Sequence, residues 1–215
     1  MPRTKRISLR GLADFMTARP SRQRTILRDY KYPAEDEPRA RILYYRDARD
    51  IIRAYHRSGE GHFWLLAQAS NLRELAAANS GPSRTRLNYN SQGVRAYAAH
   101  FSERGFEVLP ELRLMLRFGD VEVSVFPELH VREGKREKIV KLDFSITPPG
   151  LDRIRIVSQA MFEAAEVAGL GLSSSEVLYF DVPRGNEHRG ARLGARMRND
   201  IEATCQIISA IWDTL

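Results

Sequence analysis

The stretch PELHVREGKREKIVKLDFS, residues 127–145, contains the pattern from which the fold of this chain is best inferred. Apolar and polar residues alternate on both sides of a glycine, which predicts two strands joined by a turn at Gly134. Glu128 belongs to the first strand, and Lys141 and Asp143 share one face of the second. If the strands pair through this turn, Glu128 lies close to Lys141 and Asp143.

The same alternation continues on both sides of this hairpin and sets an order of elements. We expect three antiparallel strands, a helix, a fourth strand and a closing helix, over residues 106–118, 121–131, 137–146, 151–172, 174–182 and 190–215. A crossover helix allows the fourth strand to join the same sheet, so the order β-β-β-α-β-α predicts an α/β sandwich with helices packed on the sheet.

Helical periodicity dominates the chain before residue 105. Helices are expected over residues 9–18, 20–33, 42–58, 62–80 and 91–105, with Ser8 capping the first and a loop over 80–90. We therefore divide the chain into a basic helical region, residues 1–85, and an α/β core, residues 86–215.

The positive charge of the chain is concentrated near its beginning. The net charge is +7, and residues 1–60 hold 15 Lys and Arg against 8 Asp and Glu, so the rest of the chain is neutral. Localised basic charge is typical of contact with the phosphates of DNA or RNA. It also suits an acidic protein partner or a homo-oligomer, or a solvated surface. For nucleic-acid contact the candidates in the second helix are Arg22, Arg24, Arg28 and Lys31.

A second basic group follows the fourth strand. Arg189, Arg192 and Arg196 lie in a loop and in the first half of the closing helix. Backbone amides at the start of a helix attract anions. We therefore predict a second phosphate contact there.

Several classes of protein are excluded by simple features of the sequence. No run of 18 apolar residues is present, so no membrane span is expected. The basic beginning of the chain has no apolar segment and is not a secretory signal. Cys205 is the single cysteine, which rules out an internal disulfide and fits a reducing cytoplasm. The histidines lack the spacing of a zinc site.

The group around residue 128 has chemistry of its own. Two carboxylates at one spot can hold Mg²⁺, a hard cation that prefers oxygen ligands. A neighbouring lysine can orient or deprotonate a water molecule for attack on a phosphodiester. The alternatives are purely structural: a surface ion pair between Lys141 and Asp143, or a cross-strand pair of Glu128 with Arg113 or Arg117.

These residues resemble those of the PD-(D/E)XK nuclease superfamily, in its RecB-like and restriction-endonuclease-like branches. The resemblance covers residues 95–215 by order of elements, and its motifs are PEL, residues 127–129, and KLD, residues 141–143. It implies an αβββαβα three-layer core with a mixed sheet that binds DNA or RNA and, when active, cleaves it with Mg²⁺. Carried over residue by residue, Glu128 and Asp143 would bind the metal, Lys141 would polarise the water, and Glu103 would be the helical carboxylate.

The third-strand motif departs from the family pattern. The family places an acidic residue two positions before a lysine, whereas Lys141 precedes Asp143 here. The first carboxylate is also Glu128 rather than the more common aspartate. Two interpretations follow: a rearranged, metal-dependent nuclease, or an inactive nuclease-fold subunit or adaptor that binds nucleic acid or a partner protein in a larger complex. By analogy of fold, antiphage defence or mobile-element maintenance is the expected setting.

Overall fold

The computed structural model describes residues 4–33, 44–191 and 195–215. Its helices, in chain order, are α1 (Leu9–Thr17), α2 (Pro20–Lys31), α3 (Arg46–Ser58), α4 (His62–Ala77), α5 (Gly81–Phe101), α6 (Leu151–Val167) and α7 (Ala195–Asp213). Its strands are β1 (Lys5–Ser8), β2 (Phe106–Val108), β3 (Leu114–Phe118), β4 (Val121–Val125), β5 (Leu129–Glu133), β6 (Arg136–Asp143), β7 (Val177–Asp181) and β8 (Asn186–Arg189). The chain is a mixed α and β fold, as predicted.

The described strands form two mixed sheets. The larger has the order β2-β5-β6-β7-β8, in which β6 and β7 are parallel and the other neighbours are antiparallel. Helix α6 makes the crossover between the parallel strands. The smaller sheet has the order β1-β4-β3, with β1 parallel to β4 and β3 antiparallel to it.

Apolar side chains cover both faces of the larger sheet. On one face Val140, Leu142 and Phe180 pack against α3, α4 and α5. On the other face Ile139 and Val177 pack against α6 and α7, within a core that also includes α1 and the small sheet. A sheet between two layers that shield it from water is the arrangement expected for strands apolar on both faces.

The expected strands over residues 106–118 and 121–131 are each two strands in different sheets, so both predictions are wrong. In the second, the break falls at Phe126, Pro127 and Glu128, between β4 and β5. Proline has no N–H to donate to a ladder, which ends pairing at that point. The hairpin β3–β4 therefore stands apart from the larger sheet, whose successive strands are β2, β5 and β6.

Three further predictions of secondary structure need correction. Residues 81–90 form the first half of α5 rather than a loop, because Gly81 and Pro82 start a helix instead of interrupting one. The same helix ends at Phe101, so Glu103 lies in a turn. Residues 186–189, expected in a loop, form the edge strand β8.

The predicted division at residues 85 and 86 falls within α5. Residues on both sides of it share each core: Leu12 and Phe15 pack with the strands of the small sheet, and Ile52 and Leu65 pack with β5 and β6. The two-domain division stays a prediction. Among the described helices, none is long and apolar enough to cross a membrane.

Candidate functional site

Glu128 and Lys141 form a largely buried ion pair in the larger sheet. Lys141 Nζ donates to Glu128 Oε1, and the backbone N–H of Leu142 donates to Glu128 Oε2 at 3.0 Å. The Glu128 residue is 6% exposed. The expected proximity of Glu128 and Lys141 is therefore present, and the pairing of Glu128 with Arg113 or Arg117 is not, because Arg117 contacts Glu122.

The break before β5 positions Glu128. Pro127 ends the pairing of the preceding strand, and Arg53 Nε on α3 donates to the carbonyl oxygen of Glu128 at 2.8 Å. Arg53 also contacts Glu111, so its guanidinium ties the break to the segment before β3. Both the backbone and the side chain of Glu128 are thereby fixed by the protein.

Asp143 is at the end of β6 and has different partners. Its Oδ1 accepts from the backbone N–H of Ser145 at 2.8 Å, and its Oδ2 accepts from the hydroxyl of Tyr179. Burial raises the pKa of Asp143, but the hydrogen bonds from Ser145 and Tyr179 and the charge of Lys141 outweigh it, so the net pKa is lowered. Asp143 is an anion at neutral pH.

These two carboxylates do not fit the magnesium site that the resemblance implies. All four of their oxygens accept a hydrogen bond from the protein, and a metal ion bound at Glu128 Oε1 would compete with the Lys141 ammonium. Within residues 4–33, 44–191 and 195–215, no three His, Cys, Asp or Glu side chains gather in a group that could hold a metal ion.

Glu103 is at the opposite end of the larger sheet. It precedes β2, whose first residue, Phe106, pairs with Glu133 at the end of β5. Glu128 precedes the start of β5, and at about 3.3 Å per residue the two ends of that strand are more than 10 Å apart. The structure therefore does not bring Glu103 to the Glu128–Lys141 pair.

A large cleft opens beside Asp143. It has a volume of about 1520 Å³ and lies between α1, α2, the loop after β6 and the start of α6; we call it the α2–α6 cleft. Four arginines and four aspartates line it, together with four tyrosines and the apolar loop residues Ile146, Pro148 and Pro149. Of the residues carried over from the resemblance, Asp143 lines this cleft, and Glu128 and Lys141 do not.

The arginines of the cleft differ in how closely they contact a carboxylate. Arg153 contacts Asp14, and burial, which lowers the pKa of Arg153, is outweighed by that carboxylate, so its net pKa is raised. Arg10 and Arg155 are more than half exposed and contact carboxylates at 3.6 and 3.5 Å. Arg22 is exposed and has no carboxylate partner among the described residues.

The predicted basic cluster on α2 is divided between two faces of the helix. At about 100° per residue, Arg22 lies on the face of Ile26 that borders the cleft, while Arg24, Arg28 and Lys31 lie on the other side. Lys31 Nζ donates to the carbonyl oxygens of Trp212 and Leu215 at 2.7 and 3.2 Å. Lys31 therefore holds the end of α7, a favourable place for a cation.

The second basic group is remote from Asp143. Strand β8 begins with Asn186 opposite Asp181 and runs away to Arg189, which is opposite Leu178. The Arg189 guanidinium contacts Glu187 at 2.9 Å, and Arg196 is exposed in the first turn of α7. Arg192 lies outside the described residues. Arg189 therefore lies three residues along β8 from Asn186, the residue that pairs with Asp181 beside Asp143.

No protein-family model, curated protein or solved structure matches this chain.

Sequence reasoning missed most of the residues that line the cleft. Tyr89 fell in the segment expected to be a loop, and Tyr44 and Ile146 were not selected. Arg153 could have been selected from the sequence as a candidate site residue, because it lies in the first turn of a helix that follows a Pro-Pro-Gly loop. The cleft joins residues far apart in the sequence, so no local pattern predicts it.

Proposed function

We propose that this protein binds nucleic acid in the α2–α6 cleft and that the Glu128–Lys141 pair is structural rather than hydrolytic. One observation carries the proposal: of the carried-over residues, Asp143 alone lines the cleft, while Glu128 is buried with both oxygens occupied by Lys141 and Leu142. The proposal corresponds to an inactive nuclease-like core that retains a binding surface.

The order of strands supports a nuclease-like core. Without the hairpin β3–β4, the chain reads α5-β2-β5-β6-α6-β7, with three antiparallel strands, a crossover helix and a parallel strand. Glu128 precedes the second of these strands, and Lys141 and Asp143 end the third. The resemblance to the nuclease superfamily rests on this order of helices and strands, and it concerns the fold alone.

Exposed arginines support binding to a polyanion. Arg22, Arg24 and Arg28 on α2 are exposed and have no carboxylate partner within the described residues. An arginine without an internal partner can release counterions from a phosphate backbone, which gives salt-dependent affinity. Arg22 faces the cleft, so it is the first of these residues expected to contact the ligand.

Magnesium-dependent hydrolysis remains the alternative, and a role in antiphage defence or mobile-element maintenance remains a prediction. A protein partner or a homo-oligomer also stays a prediction. The assay of binding and cleavage separates hydrolysis from the proposal.

The test combines binding and cleavage on labelled single- and double-stranded DNA and RNA. We expect binding that weakens with salt, no cutting in Mg²⁺, Mn²⁺ or EDTA, and affinity at least about fivefold lower for Arg22→Ala than for wild type. Arg73→Ala, the same change at an exposed arginine of α4 that does not line the cleft, is the control. Metal-dependent cutting that is lost in Glu128→Gln would overturn the proposal, as would affinity that does not change with salt.

A further inference from the structure

Tyrosine rings form one wall of the α2–α6 cleft. Tyr44 and Tyr89 have ring centroids 6.1 Å apart at an angle of 40°, and Tyr44 meets Tyr45 edge to face at 5.0 Å. All three residues line the cleft and are partly exposed. Each of the three rings contacts another of them, and each residue keeps surface open to a ligand.

Phe144 and Asn90 hold Tyr45 and the backbone of Tyr44 in place. Tyr45 stacks on Phe144 with centroids 4.9 Å apart and an angle of 20°, and its hydroxyl donates to the carbonyl oxygen of Phe144 at 3.3 Å. Asn90 Nδ2 donates to the carbonyl oxygen of Tyr44 at 2.6 Å. A rigid aromatic surface loses little conformational entropy when a planar group stacks on it.

Other lining residues add apolar surface and charge to the cleft. Ile146 and Leu151 line it and are each 63% exposed, so they leave apolar surface open to a ligand. Arg22 and Arg155 lie on the same cleft. The lining thus offers a ligand planar and apolar contact surface and two exposed guanidinium groups, alongside four aspartates.

We propose that the cleft takes a single strand of nucleic acid, with an unpaired base stacked on Tyr89 and phosphates on Arg22 and Arg155. This inference rests on the proposed function and names its substrate class. Bases in a duplex are stacked on each other and cannot reach a tyrosine face, whereas an unpaired base can. The volume, about 1520 Å³, exceeds the range of about 300–1,000 Å³ for small-molecule pockets, so a chain segment fits better than a free nucleotide.

The test measures the affinity of a fluorescent 12-nucleotide single strand and of the matching 12-base-pair duplex by anisotropy. Wild type is compared with Tyr89→Leu, which removes the ring, and with Tyr89→Phe, which keeps it. We expect wild type to prefer the single strand by about tenfold, Tyr89→Leu to lose about 5- to 100-fold for the single strand alone, and Tyr89→Phe to match wild type. Thermal melting of wild type and both variants reports whether the fold is kept.

The outcomes separate this inference from the proposed function. Equal affinity for both ligands in wild type, or an equal loss for both in Tyr89→Leu, would overturn the single-strand inference and leave nucleic-acid binding in place. A normal single-strand affinity in a folded Tyr89→Leu variant would overturn it as well. If wild type binds neither ligand at any salt concentration, the proposed function itself fails.

Discussion

The Glu128–Lys141 pair and the α2–α6 cleft are neighbours along β6 but differ in how much of their chemistry is available. Glu128 is 6% exposed, and each of its oxygens already accepts a donor. The cleft leaves Arg22 unpaired among the described residues and leaves tyrosine and isoleucine side chains open to solvent. Lys141 belongs to the ion pair, whereas Asp143, two residues later, lines the cleft.

This difference shows that the Glu128–Lys141 pair and the large cleft are separate parts of the fold. A buried charge needs a partner, and Lys141 supplies one to Glu128 because the lysine comes two residues earlier than the aspartate. The order of the two residues therefore has a structural consequence: the position nearest Glu128 holds a cation. Asp143 is left at the edge of the cleft, with Tyr179 and Ser145 as its partners.

The largest effect is expected from breaking the buried pair. Lys141→Met leaves the Glu128 carboxylate in an apolar setting without its cation and should destabilise the protein by about 3 kcal/mol, at the low end for buried pairs because the Lys141 side chain is 21% exposed. Urea denaturation measures this loss. Arg46→Met, which breaks the exposed pair with Asp50, should cost less than about 1 kcal/mol. Equal losses of unfolding free energy in the two variants would show that the buried Glu128–Lys141 pair contributes no more stability than an exposed pair.

A smaller effect is expected from Asp143 in acid. Its pKa is lowered in the folded protein, so its contribution to stability is present above the unfolded value of 3.8 and is lost as the pH falls through the lower folded value. Asp143→Asn should therefore lose less stability than wild type between about pH 5 and pH 2. Denaturation midpoints at several pH values measure the slope of stability against pH, with Asp213→Asn, a change at an exposed residue, as the control. Parallel curves for wild type and Asp143→Asn would contradict the assignment.

The smallest effect is expected at the rim of the cleft. Asp152 is in the first turn of α6 with its side chain 82% exposed, where its charge repels a phosphate. Asp152→Asn should strengthen binding of an oligonucleotide by about two- to threefold at low salt, and the gain should vanish at high salt. Salt-dependent anisotropy measures it. Unchanged or weaker binding at low salt would contradict a position of the phosphates near Asp152.

The core of the fold could be predicted from the sequence because its signals are local. The hairpin of β5 and β6 follows from alternation around Gly134, whose φ of 60° suits glycine. Helix α1 begins at Ser8, whose Oγ accepts from the backbone N–H of Gly11 at 3.1 Å, as an N-cap serine should. The buried position of Cys205 also agrees with the helical pattern.

The remaining features depend on contacts between distant segments. Strand β1 has four residues and forms by parallel pairing with β4, more than 100 residues away. The cleft brings Tyr89, Arg153 and Arg22 together from three helices. The sequence predicted that Glu128 and Lys141 would meet, but the occupation of the second Glu128 oxygen by a backbone N–H depends on the bend at Pro127. Periodicity alone contains none of this information.

The most direct test of the central claim is photo-crosslinking of a 5-iodouracil oligonucleotide, followed by mass spectrometry of the tryptic peptides. Our account predicts crosslinks in the peptides 87–95 and 142–153, which contain Tyr89 and the loop after β6, and none in 118–132, which contains Glu128. Crosslinks in 118–132 without any in the other two peptides would contradict it, since the ligand would then lie on the motif and not in the cleft.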